Sequence, residues 1–164
     1  MVSIMDEALE LEIGHKVLEV GAGSGWHAAT IAEIVAPSDV AKENWGHVYT
    51  IERIPQLAAL AKVKIENAGY QDRITVIHSD GTLGHSEEGP YDRIFVAAAG
   101  PKVPEPLVEQ LKDEGVLLAP VGEEQCYQSL IRVKKQKGQT TQEKLGGVAF
   151  VPLIGKHGFE NKTV

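Results

Sequence analysis

Three acidic residues, each at or just after the end of a short apolar run, constrain the fold of this chain more than any other feature. They are Glu19, Glu52 and Asp80, and the runs span residues 16–20, 47–51 and 74–78. Helix-like segments separate the runs, so the pattern predicts parallel strands of an α/β sheet. Because ligands in such sheets bind beyond the carboxyl ends of the strands, we expect the three carboxylates to share one pocket.

The rest of the chain extends this pattern to one domain of residues 1–164. Helices are predicted at residues 1–11, 26–35, 55–67 and 104–111, and further strands at 93–97, 115–120, 128–135 and 146–153. Because no helix separates the last two strands, at least one pairing at that edge should be antiparallel. The expected fold is Rossmann-like α/β, a mostly parallel sheet with helices on both faces and an antiparallel pair at the C-terminal edge.

A glycine loop follows the first predicted strand. Gly21, Gly23 and Gly25 have G-x-G-x-G spacing, and Trp26 occupies the place where the dinucleotide fingerprint needs a small residue. The loop also lacks the Gly-Lys-Ser/Thr ending of a phosphate loop. A carboxylate at Glu19 would repel a pyrophosphate, so the loop favours a positively charged ligand that carries no phosphate.

The other two carboxylates favour an adenosine-containing ligand. Glu52 can accept hydrogen bonds from both ribose hydroxyls, and Asp80 can accept one from the adenine amino group. With the positive charge inferred from the loop, these features predict S-adenosylmethionine as the cofactor. The predicted cofactor-binding residues are Glu19, Gly21, Ala22, Gly23, Ser24, Gly25, Glu52, Arg53, Asp80 and Gly81.

Composition excludes several other classes of function. The net charge of −7 argues against nucleic-acid binding, and the one basic run, residues 132–137, is typical of a solvated strand end. A single cysteine, Cys126, permits no intrachain disulfide and fits a reducing cytoplasm as an incidental thiol. We expect no membrane span and no metal site, because no apolar stretch is long enough and no His or Cys residues have ligand spacing.

Four segments resemble the protein-L-isoaspartate O-methyltransferase family. They are VLEVGAGSG (residues 17–25), HSDGTLG (78–84), GPYDRIFVAAA (89–99) and FVPL (150–153), and the resemblance extends from Met1 to about Phe159. The glycine loop is common to many methyltransferases, whereas residues 80–99 are more specific to this family. The resemblance implies methyl transfer to the free α-carboxylate of L-isoaspartyl residues in damaged proteins, with S-adenosylhomocysteine as the product.

The resemblance also implies where the acceptor binds. The residues expected to line the acceptor cleft are Ala97, Ala98, Ala99, Val151, Pro152 and Ile154. Ile154 stands where some relatives have a hydroxyl side chain. The reacting carboxylate is already ionised at neutral pH, so the reaction should depend on alignment and on exclusion of water rather than on a general base.

One part of the family pattern has no counterpart in this chain. Family members carry a Thr-Ile-Ser-Ala-Pro-His-like motif in a helical segment before the position of Met1, and its hydroxyls face the donor methyl group. The resemblance therefore implies no catalytic side chain within residues 1–164, and we expect this form to be a poor catalyst that self-associates through bare apolar surface. Two alternatives stay open: a methyltransferase with another acceptor, and a cofactor-binding protein with little catalysis.

Overall fold

Seven strands form one sheet in the computed structural model, which describes residues 2–123 and 127–161 and so leaves Cys126 outside the described part of the chain. They are β1 (Lys16–Val20), β2 (His47–Glu52), β3 (Ile74–His78), β4 (Tyr91–Val96), β5 (Leu111–Gly122), β6 (Gln128–Gln136) and β7 (Gln139–Val148). Their order across the sheet is β3-β2-β1-β4-β5-β6-β7. The first five pair in parallel, and the β5–β6 and β6–β7 pairs are antiparallel. The expected fold class is confirmed.

Four α-helices in the described part of the chain cover the two faces of this sheet. They are α1 (Val2–Ala8), α2 (Trp26–Val35), α3 (Pro55–Asn67) and α4 (Glu105–Glu109). Ile31 of α2 and Ile65 of α3 pack with Val17 on one face of β1. Leu107 of α4 packs with Leu18, which points to the opposite face because side chains alternate along a strand. Among the described residues, no helix is both long enough and apolar enough to cross a membrane.

The boundaries of α2 and α3 agree with the sequence prediction because local signals define them. Gly25, with φ of 81°, ends the glycine loop directly before α2. Pro55 occupies the first turn of α3, where its missing N–H costs nothing, and Gly69 follows the end of this helix with φ of 80°. Helix α4 is shorter than predicted because Leu111 already belongs to β5.

The predicted bounds of the last strand, residues 146–153, are wrong. Strand β7 begins at Gln139, immediately after a two-residue turn in which Lys137 and Gly138 both have positive φ, and it ends at Val148. A two-residue turn of this kind sets the register of the hairpin, so the pairing starts beside the turn. Nearly every β7 side chain is exposed, so the strand has no alternating pattern to reveal it. Beyond it, Pro152 forms only an isolated bridge with Ala99.

Candidate active site

A cavity of about 480 Å³ opens beyond the carboxyl ends of β1, β2 and β4. Strand order reverses between β1 and β4, the position where ligands bind in open α/β sheets. Half of the predicted cofactor residues and most of the predicted acceptor residues line it: Gly21, Gly23, Glu52, Arg53 and Gly81, and Ala97, Ala98, Val151, Pro152 and Ile154. The structure therefore brings both predicted sets to one cavity, of a size usual for small-molecule sites.

Glu52 joins the glycine loop to the start of α3. Its Oε2 accepts a hydrogen bond from the backbone N of Gly23 at 3.0 Å, and its Oε1 accepts one from the backbone N of Ile54 at 3.0 Å. The residue is only 7% exposed and lines the cavity. Because each carboxylate oxygen can accept more than one hydrogen bond, both remain able to receive the hydroxyls of a diol.

The glycine loop brings backbone close to the cavity without side chains in the way. A Cβ on Gly21, whose φ is 102°, would lie 3.3 Å from the Cβ of Ala97. The backbone that follows β1 therefore passes close to the side chain of Ala97, with little room for a larger residue at position 21. Gly23 has φ of 52°, and a Cβ there would meet nothing within 4 Å. Left-handed backbone favours glycine at both positions. The open space beside Gly23 lies where a ligand would contact the loop.

Glu19 lies fully buried and is not among the walls of the cavity. Its Oε2 accepts a hydrogen bond from Thr50 Oγ1 at 2.6 Å, while its Oε1 has no hydrogen-bond partner among the described residues. Nδ1 of His27 lies 3.5 Å from that Oε1, and Nε2 of His27 lies 2.8 Å from Oδ1 of Asp6. Burial raises the pKa of Glu19 to about 7, although His27 and Thr50 act in the opposite direction. Its role toward a cofactor stays a prediction.

Asp80 is bonded to its own turn and to the C-terminal part of the chain. Its Oδ1 accepts hydrogen bonds from the backbone N and the hydroxyl of Thr82, at 2.9 and 2.7 Å, and its Oδ2 accepts one from the backbone N of Lys156 at 2.8 Å. Partial burial alone would raise the pKa of Asp80, but these hydrogen bonds outweigh it and lower the pKa. Its neighbour Gly81 lines the cavity, and the predicted contact of Asp80 with adenine stays a prediction.

The other predicted residues lie around the cavity rather than in its walls. Ala22 is buried within the glycine loop, and Ala99 is fully buried just beyond the end of β4. Ser24 and Gly25 line a second, smaller recess of about 240 Å³ between α2 and the end of α3. Their predicted roles are untested by this geometry.

Apolar residues complete the cavity, and apart from Leu153 of the FVPL segment the sequence did not reveal them. They are Val20, Ile51, Ile54, Leu57 and Leu153. At the end of a strand or in the first turn of a helix, an apolar residue that lines a cavity has the same sequence signal as one in the core. Thr82 was also missed, although an Asp followed two positions later by Thr is a recognisable turn in which the Asp side chain bonds the backbone.

Comparison with known proteins supports the family resemblance that the sequence motifs indicate. The family described as Protein-L-isoaspartate(D-aspartate) O-methyltransferase (PCMT) has a sequence model that matches residues 1–158. The protein-L-isoaspartate O-methyltransferase of Hyperthermus butylicus is 51% identical over 159 residues, which are 97% of this chain and 66% of that protein.

Two solved structures share the fold over most of the chain. One, described as a protein-L-isoaspartate O-methyltransferase, superposes with a TM-score of 0.85 and 27% identity, and covers 96% of this chain and 47% of its own. The other is a Plasmodium falciparum protein described as a PCMT in complex with S-adenosyl-L-homocysteine, with a TM-score of 0.77 and 26% identity over 93% of this chain and 71% of its own.

The relatives are longer than this chain, which spans about two thirds of the Hyperthermus protein. The family match, however, covers nearly all of the residues present, and it includes both the glycine loop and the residues that line the cavity. The chain belongs to the protein-L-isoaspartate O-methyltransferase family.

Proposed function

We propose that this protein transfers a methyl group from S-adenosylmethionine to the α-carboxylate of L-isoaspartyl residues in proteins. One observation carries the proposal: in a member of this family, a single cavity joins Glu52 and the glycine loop to the walls made by Ala97 and Pro152. The Plasmodium relative in complex with S-adenosyl-L-homocysteine supports the choice of cofactor.

The residues around the cavity fit this cofactor. Glu52 is held by two backbone N–H groups and keeps acceptor capacity on both oxygens for the two ribose hydroxyls. Ile54 and Leu57 supply apolar surface beside it for a flat base. The open space next to Gly23 admits the rest of the molecule. When bound, the cofactor supplies an electrophilic methyl group on a sulfonium.

The acceptor side of the cavity would act by positioning the acceptor carboxylate and by excluding water from it. Ala97 and Ala98 carry only methyl side chains, so the main chain of a peptide can come close to the end of β4. Val151, Pro152 and Ile154 form an apolar wall, which would exclude water from the reacting carboxylate once a bound peptide covers it. The carboxylate is ionised at neutral pH, so these residues need to orient it and have no proton to remove.

Transfer to matched acceptors tests the proposal. Radiolabelled S-adenosylmethionine is incubated with an isoaspartyl peptide, with the same peptide containing normal aspartate, and with bulk tRNA. We expect label in the isoaspartyl peptide alone. Preferential labelling of tRNA would contradict the proposal, whereas binding of S-adenosylhomocysteine without transfer to any acceptor would favour a cofactor-binding protein with little catalysis.

The proposal also covers the binding partners of the protein and its location in the cell. Proteins that carry isoaspartyl residues are the partners, and nucleic acid is not, since the net charge is −7. A cytoplasmic location is part of the same proposal, and the single cysteine is consistent with it.

A further inference from the structure

Residues 151–159, which we name the rim segment, connect the acceptor side of the cavity to its cofactor side. On the acceptor side the segment pairs with the end of β4. The backbone N of Ala99 donates to the carbonyl of Val151 at 2.8 Å, and the backbone N of Leu153 donates to the carbonyl of Ala99 at 2.8 Å. Residues 151–154 of the segment then form one wall of the cavity.

On the cofactor side the rim segment is bonded to the turn after β3. The backbone N of Lys156 donates to Oδ2 of Asp80 at 2.8 Å, and the backbone N of His157 donates to Oγ1 of Thr82 at 3.1 Å. Thr82 is fully buried, and its hydroxyl donates in turn to Oδ1 of Asp80 at 2.7 Å. The side chains of Asp80 and Thr82, about 75 residues away along the chain, therefore hold this part of the rim segment.

Gly155 lets the rim segment lie directly against the side chains of Asp80 and Thr82. A Cβ at position 155 would lie 2.2 Å from Oδ1 of Asp80 and 2.8 Å from Cγ2 of Thr82. Thr82 is packed on all sides, and Asp80 is held by three hydrogen bonds, so neither can move aside at low cost. Any side chain at position 155 would push the segment away from Asp80.

The carboxylate of Asp80 has one acceptor position left. Oδ1 already accepts two hydrogen bonds, both from Thr82, and Oδ2 accepts one, from Lys156. A carboxylate offers about four acceptor positions. The sequence predicts that Asp80 accepts a hydrogen bond from the amino group of adenine, and the base would then take the free position on the oxygen that also holds the rim segment.

We infer that Thr82 and Gly155 are positioning residues that couple cofactor binding to acceptor binding through Asp80. This inference rests on the proposed function. A donor in the last acceptor position would add a fourth hydrogen bond to a carboxylate that already accepts three, and would further restrain Lys156 and, through it, the wall at residues 151–154. Since such coupling is reciprocal, the cofactor tightens acceptor binding by the same factor by which the acceptor tightens cofactor binding, typically about fivefold or more.

Hydrogen exchange at the rim segment tests the coupling without any need for activity. S-adenosylhomocysteine is the probe, and its binding is measured separately by calorimetry. In the wild-type protein we expect saturating ligand to slow exchange of the amides of Lys156 and His157 about fivefold. Thr82→Val and Gly155→Ala should abolish this slowing, and Thr82→Ser, which keeps the hydroxyl, should restore it.

The matched control is Gly147→Ala on β7, where a Cβ would meet nothing within 4 Å. It should leave the slowing unchanged. The affinity of an isoaspartyl peptide, with and without S-adenosylhomocysteine, gives the second readout. The ratio of the two affinities should fall from about fivefold in the wild-type protein to about one in Thr82→Val and Gly155→Ala.

The possible outcomes separate the two proposals. If the wild-type protein binds the ligand and exchange in the rim segment does not change, the coupling is wrong and the proposed function stands. If Thr82→Val and Gly155→Ala fold and keep the wild-type ratio, the coupling is also wrong. If calorimetry shows no binding by the wild-type protein, the proposed cofactor role falls and the coupling falls with it.

Discussion

Glu52 combines two functions that usually belong to different residues. Its carboxylate ties the glycine loop to α3 through the backbone N–H groups of Gly23 and Ile54, and it also faces the cavity. The site is therefore organised before any ligand arrives, since the side chain that would bind the ribose is already held in place. Binding then costs little side-chain entropy, which favours affinity.

Glu52→Ala should weaken the binding of S-adenosylhomocysteine by about 1–3 kcal/mol, because both the proposed ribose contacts and the support of the loop are lost. Titration calorimetry measures the change. Glu66→Ala, at an exposed position on α3, is the control and should bind like the wild-type protein. An unchanged dissociation constant for Glu52→Ala would remove this residue from the site.

Glu19 presents a different case, a buried acid whose charge is costly. Its pKa is raised from 4.5 to about 7 by burial, so between those values the folded protein keeps a proton that the unfolded chain has released. The contribution of Glu19 to stability should therefore decline as pH rises through this window and level off above it. Glu19→Gln cannot release the proton and should escape the decline.

The stability difference between Glu19→Gln and the wild-type protein should shift in favour of the variant by up to about 3 kcal/mol from pH 4.5 to pH 8. Urea unfolding at several pH values measures it, with Glu66→Gln at an exposed site as the reference. If the free energies of unfolding of Glu19→Gln and the wild-type protein change in parallel with pH, burial does not shift the pKa of Glu19.

At the scale of elements, the antiparallel edge helps to hold the short helix α4. Lys135 of β6 reaches across, and its Nζ donates to the carbonyl oxygens of Leu111 at 2.8 Å and Val108 at 3.3 Å. A helix of five residues has little stability of its own, so contacts at its end matter more than for a long helix. A cation near the carbonyl end also complements the helix dipole.

Lys135→Met should lower the free energy of unfolding by about 1–2 kcal/mol, because it keeps the apolar stem and leaves these carbonyls without a charged donor. Urea denaturation measures the loss. Lys144→Met on the exposed strand β7 removes the same charge without such contacts, and it should change stability by less than about 0.5 kcal/mol. Equal effects of the two substitutions would show that net charge alone is responsible.

For the whole molecule, the proposed ligand should stabilise the folded state by mass action. At a concentration of about 100 times its dissociation constant, S-adenosylhomocysteine adds about 2.7 kcal/mol, which raises the melting temperature of a chain of this size by roughly 5–10 °C. Differential scanning fluorimetry measures the shift. The same concentration should shift Glu52→Ala less, and NAD should shift neither protein. A larger shift with NAD would mean that the glycine loop serves a dinucleotide.

Much of the fold could be predicted from the sequence because its signals are local. The bounds of β1, α2, α3 and β3 agree with prediction residue for residue. Steric rules for proline and glycine, and the contrast between apolar runs and polar loops, act within a few residues and need no tertiary contact. The same signals sufficed to predict a cavity at the strand ends with Glu52 in its wall.

The tertiary structure alone decided where the other two carboxylates point. Glu19 and Asp80 follow the same pattern as Glu52, yet one lies buried against Thr50 and the other binds the backbone of Lys156. Strand β7 also escaped prediction, because its register depends on the partner strand and its side chains are exposed on both faces. The sequence by itself determined where the site lies, since chain order and local sterics set the strand ends. Partners as far as 76 residues away decided what each side chain binds, and only the folded chain brings them together.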